Sequence, residues 1–179
     1  MTIERERAAG PIGLAALLTA QLYSPAEIIM IDLDDNRLDV ARRFGAAHAI
    51  NSLKVNAAER VSVLTDGRGV DAAIEAVGVP ATFQLCEDLV APGGVIANIG
   101  VHGNAVDLHL ETLWSRNISI TTRLVDTATT PMLIKIVRSG KIDPTRLITH
   151  RFTLDQILDA YDTFGRAAET RALKVIINA

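Results

Sequence analysis

Short apolar runs alternate along the chain with stretches in which the apolar residues have helical spacing. Residues 28–31 form a continuous apolar run, which is typical of a strand buried on both faces, and residues 34–44 have helical spacing that ends at Gly45. The same features predict further strands at residues 49–50, 70–76, 95–99, 113–122 and 172–177. Further helices are predicted at residues 56–65, 81–89, 131–137 and 154–164, with a turn at residues 91–94. This alternation predicts an α/β protein built on a parallel sheet.

The first predicted helix begins at the sequence Gly10-Pro11-Ile12-Gly13. In a dinucleotide-binding turn, Gly10 would let the backbone approach a pyrophosphate, and Gly13 would let the helix pack closely against a strand. Free amides and the dipole at the start of the helix would favour the bound negative charge. The full pattern is G-x-G-x-x-G, and Ala8 occupies its first glycine position. A helix start with Pro11 near its first position is the alternative interpretation.

Asp32 follows the apolar run at residues 28–31 and lies 19 positions after Gly13. A carboxylate at this place can accept hydrogen bonds from both hydroxyls of an adenosine ribose, and it would repel a 2′-phosphate. The alternative is that Asp32 caps the helix that begins near Asp34 and Asp35. Turn, strand and acid together predict a dinucleotide site that prefers NAD to NADP.

Composition excludes several other classes of protein. The chain has 179 residues, of which 49% are hydrophobic and 22% charged, as expected of an ordinary globular domain. A net charge of −3 gives no basic surface for nucleic acid or for an anionic membrane. The sequence contains neither an apolar segment long enough to cross a bilayer nor an evident signal peptide. Together with the single cysteine, these features predict a soluble, cytoplasmic protein without nucleic-acid or membrane partners.

Several separated motifs occur in a characteristic order, namely GPIGLAALLTAQ, IIMIDLDDNRLDVARRFGAAHAIN, GRGVDAAIEAVG, APGGVIANIGVHG, and KIDPTRLITHRFTLDQILDAYDTF with TRALKVII. In this order and spacing they resemble the second half of the zinc-dependent medium-chain alcohol dehydrogenases, over nearly all of the chain from Ala9 onward. The resemblance implies a Rossmann-type doubly wound sheet that binds NAD, at residues 1–125. It also implies that residues 126–179 pack against a separate, N-terminal catalytic domain.

The resemblance assigns residues to the cofactor at the carboxyl ends of the strands and beside them. Ala76, Val77 and Gly78 end one strand and Ile99, Gly100 and Val101 end the next, and the family packs adenine and nicotinamide there. Arg123, Leu124 and Val125 correspond to residues whose backbone groups face the nicotinamide carboxamide. Arg37 corresponds to a basic residue beside the ribose, and Arg171 to an arginine that reaches the pyrophosphate. For both arginines, a solvated surface position is the alternative.

No metal ligands and no catalytic residues are predicted within this chain. The family carries its zinc ligands on the N-terminal domain, as a Cys, a His and a further Cys or acid, often with four more Cys for a structural ion. Here Cys86 is the one cysteine, and the sequence has neither a C-x-x-C motif nor a His/Cys cluster with metal spacing. Helical spacing predicts that Cys86 is a core residue.

The predicted function is therefore the NAD-binding portion of a zinc-type alcohol dehydrogenase, which oxidises alcohols to aldehydes or ketones by hydride transfer to NAD. The substrate would bind only together with a catalytic domain. A non-catalytic nucleotide-binding fragment or a degenerate gene product is the alternative, and a methyltransferase fits the turn and the C-terminal motifs poorly. Charges at positions 4–7 predict that the first strand of the sheet is missing or degenerate. The chain would then be a truncated or frameshifted relative, or a fragment that works with another polypeptide.

Two further residues have roles that the sequence leaves open. Glu75 interrupts an apolar strand, so it is either buried with a partner or directed toward the ligand crevice. His102 follows the end of a strand, and it either lines the crevice or is solvated.

The family pairs through the edge strand after Gly103, so residues 118–122 are predicted to extend a sheet across a dimer axis and to make the protein a homo-oligomer.

Overall fold

The computed structural model describes residues 9–125 and 127–178. These residues divide into two compact units, of which unit one comprises residues 31–33 and 50–125, and unit two comprises residues 9–30, 34–49 and 127–178. The degenerate first strand predicted at residues 3–7 lies outside the described residues. Within the described part of the chain, no helix is long and apolar enough to cross a membrane.

Within residues 9–125 and 127–178, seven strands are arranged in three small sheets. In chain order they are β1 (Ile29–Asp32), β2 (His48–Asn51), β3 (Val70–Glu75), β4 (Val90–Asn98), β5 (Ser119–Thr122), β6 (Ile148–Thr153) and β7 (Lys174–Asn178). β1 pairs with β2, β4 lies between β3 and β5, and β6 pairs with β7. The β3–β4, β4–β5 and β6–β7 pairs are parallel.

Eight α-helices connect or flank these strands among the described residues. They are α1 (Pro11–Ala20), α2 (Asp35–Arg43), α3 (Ala57–Leu64), α4 (Pro80–Leu89), α5 (Leu110–Leu113), α6 (Thr130–Arg138), α7 (Ile157–Gly165) and α8 (Ala167–Thr170). The side chains of Asp34 and Asn56 cap α2 and α3, which explains where these two helices begin. The bounds of α2, α3, α4, α6 and α7 agree with the predicted helices to within three residues, whereas the short helices α5 and α8 were not predicted.

The register of the sheet in unit one aligns the carboxyl ends of its three strands. Glu75 at the end of β3 is paired with Asn98 on β4, and Asn98 is paired with Thr122 on β5. The sheet packs on α4 through a core of buried residues, namely Ala73, Phe83, Cys86, Val90 and Ile96. Each buried large apolar side chain contributes about 1.5–3 kcal/mol. The loops that follow β3, β4 and β5 are thus attached to a well-packed sheet.

Unit two has its own core around α1. The buried side chains that form it include Leu14, Leu17, Leu38, Phe44, Leu147 and Leu173. The guanidinium of Arg146 lies 4.3 Å from the centre of the Phe44 ring, in a cation–π contact. These contacts join residues far apart in the sequence into one core.

Two predicted elements differ in the structure, and one strand was not predicted. The strand predicted at residues 113–122 begins only at Ser119. Leu113 is the last residue of α5, and Asn117 has a φ of 55°, a left-handed conformation that changes the direction of the chain before the strand. The turn predicted at residues 91–94 lies inside β4, where the pairing moves from Val90 to Val95 while β3 advances only from residue 70 to 72. It is therefore a bulge within the strand. β6 was not predicted, since its half-buried positions include His150 and break the apolar alternation.

Cys86 is a core residue, as predicted. It is 7% exposed and packs among the apolar side chains between α4 and the sheet of unit one. Burial, together with the nearby carboxylates of Glu75 and Glu87, raises the pKa of its thiol to about 12. At neutral pH the group is therefore a protonated thiol with little nucleophilic character.

Candidate functional site

The glycine turn in unit two forms the start of α1. Gly10 precedes the helix with φ −73° and ψ −175°, and Pro11 occupies its first turn. No side chain caps the helix, and its first turn has no acidic residue. Gly10 and Gly13 are buried, whereas Ile12 is exposed. A helix that begins at this turn agrees with both interpretations, the dinucleotide-binding turn and the plain helix start with Pro11 near its first position. The free backbone amides at the start of a helix favour an anion.

Asp32 ends β1 in unit one and is 3% exposed. Its carbonyl oxygen accepts a hydrogen bond of 3.1 Å from the amide of Ser52. The side chain that caps α2 is that of Asp34, which accepts from the amide of Asn36 at 2.8 Å. The alternative in which Asp32 is the helix cap is therefore wrong.

The loops at residues 76–78 and 99–101 of unit one are in direct contact. Gly78 has a φ of 90°, and a Cβ atom placed on it would lie 2.2 Å from the carbonyl oxygen of Val101. A Cβ on Gly100 would lie 2.4 Å from the amide nitrogen of Gly78. Both glycines are required because the two backbones approach too closely for any side chain. The structure therefore brings together two of the three predicted loops in this way.

The Glu75 carboxylate lies beneath these loops and is 1% exposed. Its Oε1 atom accepts hydrogen bonds of 2.8 Å from the amides of Val77 and Gly78 and from the hydroxyl of Thr82. Of the two positions that the sequence leaves open for Glu75, the structure shows the buried one with partners. Thr82 was not predicted as a partner, although a hydroxyl side chain in the first turn of the helix that follows the strand is a signal that could have indicated it.

His102 contacts the same carboxylate and is not a solvated loop residue. Its Nε2 atom lies 2.7 Å from Oδ1 of Asn98 and 3.2 Å from Oε2 of Glu75. Its ring packs edge-to-face on Phe83 at a centroid distance of 6.2 Å. Asn98 in turn donates to the carbonyl oxygen of Gly100 at 3.1 Å. The solvated alternative for His102 is therefore wrong.

The third loop of unit one, at residues 123–125, follows β5. The amide of Arg123 donates to the carbonyl oxygen of Asn98 at 3.2 Å, which joins this loop to the end of β4. Leu124 and Val125 are 79% and 91% exposed. Their side chains thus pack against nothing substantial among the described residues, and the roles predicted for them are roles of backbone groups.

The two arginines predicted near the cofactor belong to unit two and differ in burial. Arg37, in the first turns of α2, is 8% exposed, so the alternative of a solvated arginine is wrong. Arg171 is exposed and has a φ of 59°, directly before the buried Ala172 and Leu173. Its alternative as a surface arginine stays open.

A second buried carboxylate in unit one, that of Glu87, holds the loop that precedes β5. Glu87 is 2% exposed, and its Oε2 atom lies 2.9 Å from Nδ1 of His109. Arg116 donates to the backbone carbonyl oxygens of Glu87 and Val90. No role for His109 was predicted from the sequence, because no spacing rule relates this residue to one 22 positions earlier.

We expect the stability of the chain to depend on pH through His109. The hydrogen bond to Glu87, aided by the charges of Glu111 and Asp107, raises the pKa of His109 above its ordinary value of 6.5. A raised pKa in the folded state stabilises the fold fully below about pH 6.5, and this contribution is lost as the pH rises through the raised value. Urea unfolding of wild type across this range will show the decline in stability, which His109→Gln will remove and Glu87→Gln will reduce, because Glu111 and Asp107 remain in the second variant. An identical decline in all three proteins would contradict this assignment.

No group of three or more His, Cys, Asp or Glu side chains is placed to hold a metal ion within residues 9–125 and 127–178.

Comparison with known proteins identifies relatives along most of the chain. A family model described as zinc-binding dehydrogenase matches residues 11–139. An alcohol dehydrogenase of Cupriavidus necator is 36% identical over 177 residues, which cover 95% of this chain and 47% of that protein. The chain thus matches the C-terminal portion of such relatives and spans about half their length.

Solved structures show the same fold. Zinc dependent alcohol dehydrogenase 2 from Streptococcus pneumonia, in its apo form, has a TM-score of 0.90 at 54% identity, covering 95% of this chain and 50% of that chain. A short chain alcohol dehydrogenase from Escherichia coli CFT073, complexed with the cofactor NADH, has a TM-score of 0.85 at 25% identity, covering 96% of this chain and 50% of that chain. With the alternating helices and parallel strands, these matches confirm the predicted α/β, Rossmann-type fold.

Proposed function

The chain belongs to the zinc-binding dehydrogenase family, and from this premise we propose that it is the part of an alcohol dehydrogenase that binds NAD. The observation that carries the proposal is Asp32, a buried carboxylate at the carboxyl end of β1. An acid at this place in a Rossmann-type fold recognises the hydroxyls of the adenosine ribose. The NADH complex of the structurally similar Escherichia coli dehydrogenase supports the choice of cofactor.

The residues present fit a dinucleotide. In unit two, the uncapped, acid-free start of α1 offers backbone amides to a pyrophosphate. In unit one, Gly78 and Gly100 allow the loops at residues 76–78 and 99–101 to lie directly against each other at the carboxyl ends of β3 and β4, which is where ligands bind in this class of fold. When bound, NAD supplies the hydride acceptor, and the residues of this chain bind and orient it.

Each predicted site residue keeps one proposed role. The proposed NAD-binding residues are Gly10, Pro11, Ile12, Gly13, Asp32, Arg37, Ala76, Val77, Gly78, Ile99, Gly100, Val101, Arg123, Leu124, Val125 and Arg171. The turn and Arg171 bind pyrophosphate oxygens, and Asp32 and Arg37 serve the ribose. The three loops of unit one serve adenine and nicotinamide, with backbone groups of the loop at residues 123–125 directed at the carboxamide.

Zinc does not fit the residues that the structure describes, because they include no set of three candidate ligands. We therefore derive no step through a metal in this chain. The proposed division of labour is that residues 1–125 hold NAD and residues 126–179 pack against a separate catalytic domain. That domain supplies the zinc and, with this chain, binds the alcohol, aldehyde or ketone. The proposed location is the cytoplasm.

Thermal unfolding with and without NAD, followed by an activity assay, tests this function. A ligand that binds only the folded state raises the unfolding midpoint, by about 2.7 kcal/mol of added stability at a hundredfold excess over Kd. We expect a concentration-dependent rise with NAD, and no oxidation of primary or secondary alcohols by the purified chain with added zinc. An unchanged midpoint would refute cofactor binding. Zinc-dependent turnover would refute the proposal that the metal ligands lie elsewhere.

We also propose that the chain forms a homo-oligomer through β5. This strand is at the edge of the three-stranded sheet of unit one, and all four of its residues are exposed, with Ile120 at 38%. An unpaired edge of this kind is a template for pairing with a second copy. We expect light scattering at tens of micromolar to give a dimer or larger species, and Ile120→Lys to give a monomer. A monodisperse wild-type monomer would contradict the proposal.

A further inference from the structure

The Glu75 carboxylate is joined to both of the unit-one loops that are in contact with each other, but it belongs to neither. It lies at the end of β3 and is 1% exposed, although a buried carboxylate is costly unless it is hydrogen-bonded. Its position is therefore maintained by specific partners, and these partners indicate what the residue does.

One oxygen of Glu75 fixes the first loop. Oε1 accepts from the amides of Val77 and Gly78 and from the Thr82 hydroxyl, each at 2.8 Å. Hydrogen bonds to a charged acceptor are roughly twice as strong as neutral ones. The carboxylate therefore holds two successive amides of the loop on one atom, and this supports the φ of 90° at Gly78.

The second loop is fixed through the backbone and through His102. The carbonyl oxygen of Glu75 accepts from the amides of Ile99 and Gly100 at 2.8 and 3.1 Å. A Cβ on Gly100 would lie 2.2 Å from Oε2 of Glu75, so this loop rests directly on the carboxylate. His102 connects Oε2 with Asn98, whose amide holds the carbonyl oxygen of Gly100.

Within the part of the chain that the structure describes, two polar atoms of the cluster formed by Glu75, His102 and Asn98 lack hydrogen-bond partners. Among the described residues, Oε2 of Glu75 and Nδ1 of His102 are buried without a hydrogen-bond partner. Oε2 lies 3.2 Å from Nε2 of His102, which is within ion-pair distance, but this contact is not a hydrogen bond. An apolar core would be the cheaper way to fill this space, and polar groups retained at such cost are typical of functional positions.

We propose that Glu75 is a positioning residue for NAD, and that its carboxylate sets the backbones of the loops at residues 76–78 and 99–101 that receive the cofactor. The proposal rests on the function proposed above. Glu75 does not touch the cofactor and acts through the amides that it holds. Removal of the Glu75 carboxylate therefore weakens NAD binding by more than a general loss of fold stability would explain.

Glu75→Gln tests the proposal, because glutamine keeps the shape of the side chain and removes its charge. Glu87→Gln is the matched control, since Glu87 is equally buried in the same unit and also contacts a histidine, but touches neither loop. NAD affinity is measured by calorimetry. Hydrogen exchange of the Val77 and Gly78 amides, measured by NMR without cofactor, reports on the loop itself. Thr82→Val, which removes one of the three donors, provides a milder variant should Glu75→Gln fail to fold.

We expect Glu75→Gln to raise the Kd for NAD about tenfold or more, equivalent to about 1.4 kcal/mol, and to accelerate exchange of both amides. Thr82→Val will change both quantities in the same direction and by less, and Glu87→Gln will leave both near wild type. Equal effects of Glu75→Gln and Glu87→Gln, or unchanged exchange and Kd in Glu75→Gln and Thr82→Val, would overturn the positioning role. Failure of the wild-type chain to bind NAD would instead overturn the proposed function, and the exchange measurement would still decide whether Glu75 anchors the loop.

Discussion

Asp32→Ala will weaken NAD binding about ten- to a hundredfold and will narrow the difference between NAD and NADP. Hydrogen bonds to a charged group contribute roughly 1.5–3 kcal/mol, which corresponds to this range of affinity. The Asp32 carboxylate is buried at the end of β1, and in the proposed function it would accept hydrogen bonds from the ribose hydroxyls and repel a 2′-phosphate. Calorimetric titration of both cofactors into wild type and variant measures the change.

Asp34→Asn is the control for this experiment. Asp34 is the neighbouring carboxylate that caps α2, and asparagine caps a helix about as well as aspartate. The control therefore removes a nearby charge without removing the cap, and we expect it to leave both affinities near wild type. Tighter binding of NADP than of NAD by the wild-type chain would contradict the role of Asp32, as would equal losses in Asp32→Ala and Asp34→Asn.

Gly78→Ala will destabilise the chain far more than Gly67→Ala. Both glycines belong to unit one and have positive φ, 90° at Gly78 and 78° at Gly67, so alanine costs about 1–2 kcal/mol at either position. Only at Gly78 would the new Cβ also meet backbone, at 2.2 Å from the carbonyl oxygen of Val101. Overpacking of this kind typically adds about 1–3 kcal/mol. Urea unfolding of both variants measures the difference.

Gly67 is a matched control because a Cβ there has no atom within 4 Å. The difference between the two variants therefore isolates the close approach of the loops at residues 76–78 and 99–101 from the cost of the backbone conformation. Equal losses of unfolding free energy in Gly67→Ala and Gly78→Ala would show that these loops do not approach each other as described.

The elements that the sequence predicted correctly are those whose signals are local. The apolar run at residues 28–31 gave β1 to within one residue, and helical spacing with the acid at Asp34 gave α2. Likewise the core position of Cys86 follows from its place on the apolar face of α4. In each case the pattern lies within one element, so no knowledge of a distant partner is needed.

The elements that the sequence predicted incorrectly depend on partners far along the chain. The half-buried positions of β6 are occupied by Ile148, His150 and Phe152. Because His150 is polar, the alternation of apolar and polar residues typical of a strand is not evident in the sequence, and the strand is stabilised by its pairing with β7. The strand predicted at residues 113–122 begins too early. Its first residues form helical turns, and the left-handed conformation of Asn117 separates these turns from β5.

The site shows the same contrast. Sequence identified the loops at residues 76–78 and 99–101 from the strands that precede them, but not their contact at Gly78 and Val101. It also left Glu75 undecided, since the partners of its side chain include Thr82 on the following helix and His102 in the loop after the next strand. A carboxylate in an apolar strand was the available signal, but these contacts, which determine where the side chain lies, are evident only in the folded structure.

Calorimetric titration of the wild-type chain with NAD tests most directly whether this chain binds the dinucleotide. We expect saturable binding at one site, with a Kd below about 1 mM, which is the upper end of the usual range of enzyme KM values, and weaker binding of NADP. No heat of binding up to about 1 mM NAD, under conditions where the chain is folded, would contradict the proposed function.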